Sequence, residues 1–262
     1  MKPDYRNWVP KGMVASSLCG ALVFAALFFV LLRMNSLSGV WKSVILIASL
    51  AASLVLGVMT LWSFLLYRAF SYGGKRQLSR RIIEGIAERV TLPDGGTGLD
   101  VGCGSGALTI ACAKRNPRAS FVGIDRWGKE YASFSKALCE RNAKAEGVEN
   151  AVFLRGDANR LDFPDETFDT VVSNYVYHNI PCRDRQALLL ETLRVLKKGG
   201  TFAIHDLFSQ SKYGDVRAFV EKLRAMGYER VEWIETADGT FLPRREALWM
   251  GLSSSSLLIG KK

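Results

Sequence analysis

The stretch "TGLDVGCGSGALTIACAKRNP", residues 97–117, ends a short apolar run on an acid and then brings in Gly102, Gly104 and Gly106. Glycine has no Cβ, so a ligand can lie against the main chain there. A strand, a glycine turn and a helix together make a cradle at a helix N-terminus. Two ligand classes use such a cradle. A dinucleotide pyrophosphate is held by G-x-G-x-x-G, whereas this chain reads G-x-G-x-G, one residue short. Asp100 stands two residues before the first glycine. A carboxylate at that point repels a pyrophosphate and attracts an ammonium group.

Further motifs follow in order. "VGIDRW" carries Asp125 nineteen residues past Gly106, and "RGDANRLDFPDETFDTVVSNYVYHNI" and "ETLRVLKKGGTFAIHD" come after it. With "LDVGCGSGALT" they resemble the class I S-adenosylmethionine-dependent methyltransferases, over residues 76–262. Each motif alone is weak; their order is specific. The resemblance implies S-adenosyl-L-methionine as cofactor and assigns its contacts. Asp125 would accept the two ribose hydroxyls, with Arg126 beside it and Trp127 over the adenine. Asp157 would take the adenine amino group while Ala158 supplies a backbone donor. Asp100, with the backbone of Gly102 and Gly104, would hold the methionine ammonium end, and Cys103 within the loop reads as a small spacer. Asn174 would lie near the methyl group.

Methyl transfer is an in-line displacement, and the protein's task is to align the acceptor and exclude water. A base is needed only when the acceptor is still protonated. His178 is one of two histidines and follows Asn174 by four residues in "NYVYHN". Histidine changes charge near neutral pH, so His178 is the candidate base; a packing role in the acceptor pocket is the alternative. Tyr175 and Tyr177 are candidate pocket walls, and His205 beside Asp206 reads as structural. Members of the family that methylate amino groups of bases carry a D/N/S-P-P-aromatic tetrad where this chain has "SNYVY". That departure argues against a nucleic-acid base as acceptor. A small or lipid-like, membrane-partitioning acceptor such as a quinone precursor is expected, with a small thiol, phenol or amine as rival. Two other readings stay open: a tethered S-adenosylmethionine-binding module without turnover, and a nicotinamide-dependent oxidoreductase, which the glycine spacing disfavours. No C-x-x-C pair or zinc spacing occurs among the five cysteines, so no metal is expected.

Strand candidates at 98–102, 120–124, 151–155, 168–173 and 201–205 alternate with helical stretches at 105–115, 127–146, 183–197 and 212–226. This rhythm predicts an α/β, Rossmann-like, mostly parallel sheet with helices on both faces. Segments 229–236 and 254–260 add two strands to make seven, "VLKKGG" reads as a helix end with a glycine cap, and 76–90 as an amphipathic helix.

Ahead of this domain, residues 12–32 and 43–67 contain no charged side chain. Each reaches the ~20 apolar residues that cross a bilayer core, so a transmembrane hairpin is predicted. Ser17, Ala21 and Ala25 in one span, and Ser49, Ser53 and Gly57 in the other, form small-residue stripes along which the spans can pack. The expected parts are a hairpin over 1–70, a basic linker and helix over 71–95, and a methyltransferase domain over 96–262. Residues 1–81 carry ten basic and one acidic side chain, and residues 82–262 carry twenty-five and twenty-four. The excess beside the spans is expected to meet anionic lipid headgroups and to hold both termini and the catalytic domain in the cytoplasm. A near-neutral folded domain argues against nucleic acid as partner. Oligomeric state is not legible.

Overall fold

The computed structural model describes residues 2–34, 39–128 and 133–262. The two charge-free runs have no polar face to turn to water, and each forms one helix, α1 (Lys11–Arg33) and α2 (Val40–Phe70). Both are long and apolar enough to cross a membrane. They pack through small polar residues: Ser53 Oγ donates to the Ala21 carbonyl at 2.9 Å, and Thr60 Oγ1 to Ser17 Oγ at 3.1 Å. Gly20 also serves this interface, since a Cβ there would stand 3.0 Å from Leu56. Gly57 does not, because nothing lies within 4 Å of a Cβ built on it. Leu22, Phe29, Ile47 and Val58 point outward, exposed.

The chain divides into two compact units, Asn7–Ser79 and Met1–Arg6 with Arg80–Lys262. These bounds differ from the expected ones at both ends of the hairpin. The residues up to Arg6 belong to the larger unit because their main chain is held there. The Asp4 N–H donates to Asn142 Oδ1 at 2.8 Å, Asn142 Nδ2 donates to the Asp4 carbonyl at 3.0 Å, and Tyr5 is buried with its hydroxyl on Glu146. The amphipathic helix is α3 (Leu78–Ala87), which buries Ile82, Ile83 and Ile86.

The sheet strands are β1 (Thr97–Val101), β2 (Ser120–Asp125), β3 (Ala151–Arg155), β4 (Phe168–Asn174), β5 (Leu196–Leu207), β6 (Arg230–Glu235) and β7 (Ser255–Lys261), in the order β3-β2-β1-β4-β5-β7-β6. The first five pair in parallel, and β7 is antiparallel to both neighbours. The helices are α4 (Ala107–Arg115), α5 (Lys136–Ala145), α6 (Arg185–Arg194), α7 (Gln210–Tyr213), α8 (Val216–Ala225) and α9 (Arg244–Met250). Strand alternation separates the two faces. Ile204 joins the core made with Leu188, Leu193, Val216 and Phe219 of α6 and α8. His205, the next residue, turns the other way to the Phe241 ring, which lies against Gly85 of α3. The chain leaves β1 outward through β2 and β3 and returns as β4 on its other side. The crevice of such a reversal opens beyond the carboxyl ends of the strands.

Three expected elements are redrawn. The helix over 127–146 begins only at Lys136, capped by Ser135, whose hydroxyl accepts from the Leu138 N–H at 3.2 Å. Trp127 has φ 44° and does not continue a helix, and residues 129–132 lie outside the described ones. "VLKKGG" is not a helix end. The helix stops at Arg194, and Leu196 already pairs with Phe168 as β5 while Thr201 pairs with Thr170. Residues 197–200 bulge outward between those pairs, where Lys197 meets Asp169 at 2.9 Å and Gly199, φ 76°, donates to the Lys262 carbonyl. The stretch 212–226 splits into α7 and α8 at Gly214, φ 66°. Helix α9 was not foreseen.

Candidate active site

The glycine loop between β1 and α4 is left-handed at all three glycines, with φ 76° at Gly102, 56° at Gly104 and 81° at Gly106. Part of the demand for glycine comes from the protein itself. A Cβ on Gly102 would meet Val176 at 2.3 Å, and one on Gly106 would meet Phe153 at 3.0 Å. At Gly104 the nearest neighbour of an added Cβ, Phe134, is 3.7 Å away, so packing alone does not demand glycine there. The loop is anchored because the N–H groups of Gly102 and Cys103 both donate to the Ile124 carbonyl, at 2.8 and 2.9 Å.

Two carboxylates flank the loop. Asp100 is buried and accepts from Thr109 Oγ1 at 2.6 Å. Burial pushes its carboxyl up to about 7 against the help of that hydroxyl. A carboxylate in that condition is stabilised by a cation. Asp125 ends β2, accepting from the Gly104 N–H through Oδ2 at 2.9 Å and from the Trp127 N–H through Oδ1 at 2.7 Å. Each oxygen keeps acceptor capacity for a hydroxyl. The Trp127 indole N–H closes back on the Gly104 carbonyl at 2.9 Å. A left-handed tryptophan is a strained residue held by its neighbours. A cation near Asp100 and vicinal hydroxyls at Asp125 suit the two ends of S-adenosylmethionine, and a pyrophosphate against Asp100 does not. Burial drives the Cys103 thiol well above its ordinary range, so it stays protonated.

Arg126 is exposed beside this loop. Asp157, also exposed, sits in the turn after β3, where its Oδ1 accepts from the Asn159 N–H at 2.9 Å and from the Asn159 amide at 2.7 Å. These bonds, the backbone one foremost, hold its carboxyl below the usual range, and the Arg126 charge adds to them. Ala158 packs, partly buried, on the core.

The ends of β4 and β5 form a hydrogen-bonded chain. Tyr175, φ 55°, is pinned by its N–H on the His205 carbonyl at 2.8 Å. Its hydroxyl meets Ser255 Oγ at 2.6 Å, Ser255 Oγ meets His205 Nε2 at 3.0 Å, and His205 Nδ1 meets Asn174 Oδ1 at 2.8 Å. Burial lowers His205 to about 3, so the ring is neutral. One proton assignment satisfies all three contacts: Tyr175 donates to Ser255, Ser255 to Nε2, and Nδ1–H to Asn174. The Asn174 carbonyl oxygen is thereby occupied. His205 is fully buried within this chain.

His178 lies in the 3-10 turn Tyr177–Asn179 after β4. Its Nδ1 stands 2.5 Å from Asp206 Oδ1, with the ring 13% exposed and Asp206 fully buried. The carboxylate also accepts from the N–H groups of Tyr177 at 2.8 Å and Leu207 at 2.6 Å. Bound in this way it accepts from Nδ1–H, which leaves Nε2 with a free lone pair. The turn is braced by Lys212 Nζ on the His178 carbonyl at 3.1 Å and Arg185 Nε on the Tyr177 carbonyl at 3.2 Å. Asp206 went unrecognised in the sequence. The signal was there: in "AIHD" a strand turns His205 and Asp206 to opposite faces, so only one of them can meet His178. Tyr177 departs from its expected place. It lies wholly buried in the core, its hydroxyl 2.7 Å from Thr192, and walls no pocket.

Residues 99–204 match the family model described as a methyltransferase domain. The chain is 30% identical over 181 residues to a demethylmenaquinone methyltransferase of Geobacillus sp. (strain WCH70), covering 64% of this chain and 73% of the relative. It is 28% identical over 172 residues to the demethylmenaquinone methyltransferase of Geobacillus stearothermophilus, covering 62% and 70%. Among solved structures, the [4+2]-cyclase SpnF shares the fold, with a TM-score of 0.51 at 22% identity over 71% of this chain and 82% of that one. With its own glycine cradle and flanking carboxylates, this chain belongs to the class I S-adenosylmethionine-dependent methyltransferases.

Proposed function

We propose that this methyltransferase is anchored by its N-terminal hairpin and methylates a membrane-partitioning acceptor bearing an acidic ring hydroxyl, of the quinol type. Bound S-adenosylmethionine supplies a methyl group activated by sulfonium charge. Asp100 would pair with the ammonium end, Asp125 with the ribose hydroxyls, Trp127 would pack on the adenine, and Asp157 with Ala158 would read its edge. Asn174 and Tyr175 shape the side where the acceptor enters. His178 Nε2 takes the hydroxyl proton, which leaves the acceptor with a full negative charge for the displacement. Asp206 is the positioning residue that holds the ring in the Nδ1–H tautomer and stabilises the imidazolium.

The observation that carries this reading is the 2.5 Å contact between His178 and the buried Asp206, because an acceptor that needs no deprotonation gives no reason to orient a ring so. The names of the relatives support a quinone-type acceptor. Basic residues on both sides of the hairpin and the small loop between its spans support cytoplasmic termini. The test reconstitutes the full chain in lipid vesicles with labelled cofactor and offers demethylmenaquinol beside a water-soluble thiol. Label is expected in the quinol. Transfer to the thiol alone, or to neither, overturns the acceptor class.

A further inference from the structure

Helix α9 is an element of the larger unit for which the sequence supplied no reason. Its buried side, Ala247 and Met250, faces the domain. Its other side carries Arg244 and Arg245, then Leu248 and Trp249. These four fall at i, i+1, i+4 and i+5 and therefore share one helix face. Leu248 is 74% exposed and Trp249 37%. Two cationic stems beside an aliphatic and an indole side chain on one face are the composition of a helix that lies in a membrane interface. The acids of this segment lie off that face: Asp238 accepts from Thr240 in the loop before the helix, and Glu246 sits half-buried in the first turn.

Both ends of α9 run into the acceptor side of the site. Three residues before it, Phe241 is buried and packs edge-on to the His205 ring, centroids 5.2 Å apart. Five residues after it, Ser255 joins Tyr175 to His205. The Phe241 ring also rests on Gly85 of α3 and lies under Arg89 at 5.5 Å. The larger unit is joined to the hairpin twice, after Arg6 and before Arg80. The four residues before α1 reach at most about 14 Å and the seven before α3 about 25 Å, so a domain joined to an anchored hairpin stays beside the bilayer.

We infer that α9 is a second membrane contact, in which Leu248 and Trp249 enter the headgroup–acyl boundary while Arg244 and Arg245 meet anionic phosphates, and that this contact brings the Asn174–Tyr175 side of the site to the lipid surface from which the acceptor is drawn. The inference rests on the anchored reading above.

The test places a benzophenone amino acid at position 248, and separately at exposed Met226 of α8, in the full chain. Each is irradiated in vesicles containing phosphatidylglycerol. Lipid adducts are expected about tenfold more often at 248 than at 226, falling about fivefold in the R244E/R245E variant and in purely zwitterionic lipid. Equal adducts at both positions, or capture of a second copy at 248, overturn the contact. In parallel, L248D/W249S is expected to raise the KM for vesicle-dissolved demethylmenaquinol about tenfold, with kcat and cofactor affinity unchanged; an unchanged KM overturns its role in acceptor capture. Alkaline carbonate extraction separates the two readings. A chain that washes off the vesicles refutes the anchor itself, whereas a retained chain with no adduct at 248 refutes only α9.

Discussion

Asp100 is a carboxylate held in the core, where burial lifts it to about 7 against the hydroxyl and backbone hydrogen bonds of Thr109. In the free protein it keeps a proton that the unfolded chain loses near pH ~4. It therefore lowers stability as pH rises from about 4 through 7. An ammonium beside it reverses the preference, so cofactor binding should release a proton below pH 7. Affinity for S-adenosylmethionine should weaken by up to about tenfold per unit as pH falls below 7, levelling off above it. Calorimetry in buffers of different ionisation enthalpy reads both; pH-independent binding would remove Asp100 from the cofactor. Asp125→Ala removes two acceptor positions for hydroxyls, each charge-assisted bond being worth about 1.5–3 kcal/mol. A rise of roughly 10²- to 10⁴-fold in cofactor Kd is expected, and an unchanged Kd would dismiss the ribose role. His178→Gln keeps a polar side chain without a basic ring nitrogen. It should lower kcat by about 10²–10⁴-fold with cofactor affinity intact, and Asp206→Asn should lose about 10²-fold or more through the wrong tautomer. Full turnover in both would return His178 to a packing role. Asp100, Asp125 and His178 stood out in the sequence as candidates because of their types and spacing. Asp206 did not, because its partner lies twenty-eight residues away and only strand alternation chooses between it and His205.

At the scale of elements, the glycine loop depends on packing as much as on a ligand. Gly102→Ala asks for a left-handed alanine, which costs about 1–2 kcal/mol, and pushes a methyl into Val176, 2.3 Å from the new Cβ. A total of about 2 kcal/mol or more is expected, a fall of roughly 4–8 °C in Tm. A thermal melt within one degree of the parent would refute the packing argument. The strands were legible from their apolar runs, since β1 to β4 and the two tail strands fall where periodicity placed them. The start of β5 was not. Basic residues followed by glycines read equally as a helix cap or as a bulge, and what decides is the pairing of Leu196 with Phe168 and of Thr201 with Thr170. Helix α9 was hidden for a related reason: "RREALWM" is too short to show a period.

For the whole molecule, the anchored reading makes its own prediction. The chain should resist alkaline carbonate extraction, and in inside-out vesicles protease should reach both the N-terminal residues and the catalytic domain, leaving the short connection between the spans protected. Cleavage within residues 34–39 from the cytoplasmic side would reverse the topology. The sequence by itself determined the fold class, the cofactor class and the two apolar spans, because each of these rests on local pattern: an apolar period, a glycine spacing, an acid at a strand end. Tertiary structure alone decided which residues share a site. It sent Tyr177 into the core, set Asp206 rather than His205 against His178, attached residues before α1 to Asn142, and turned one face of α9 outward. Such outcomes depend on strand register and on the packing of segments remote in sequence, and no local pattern contains them.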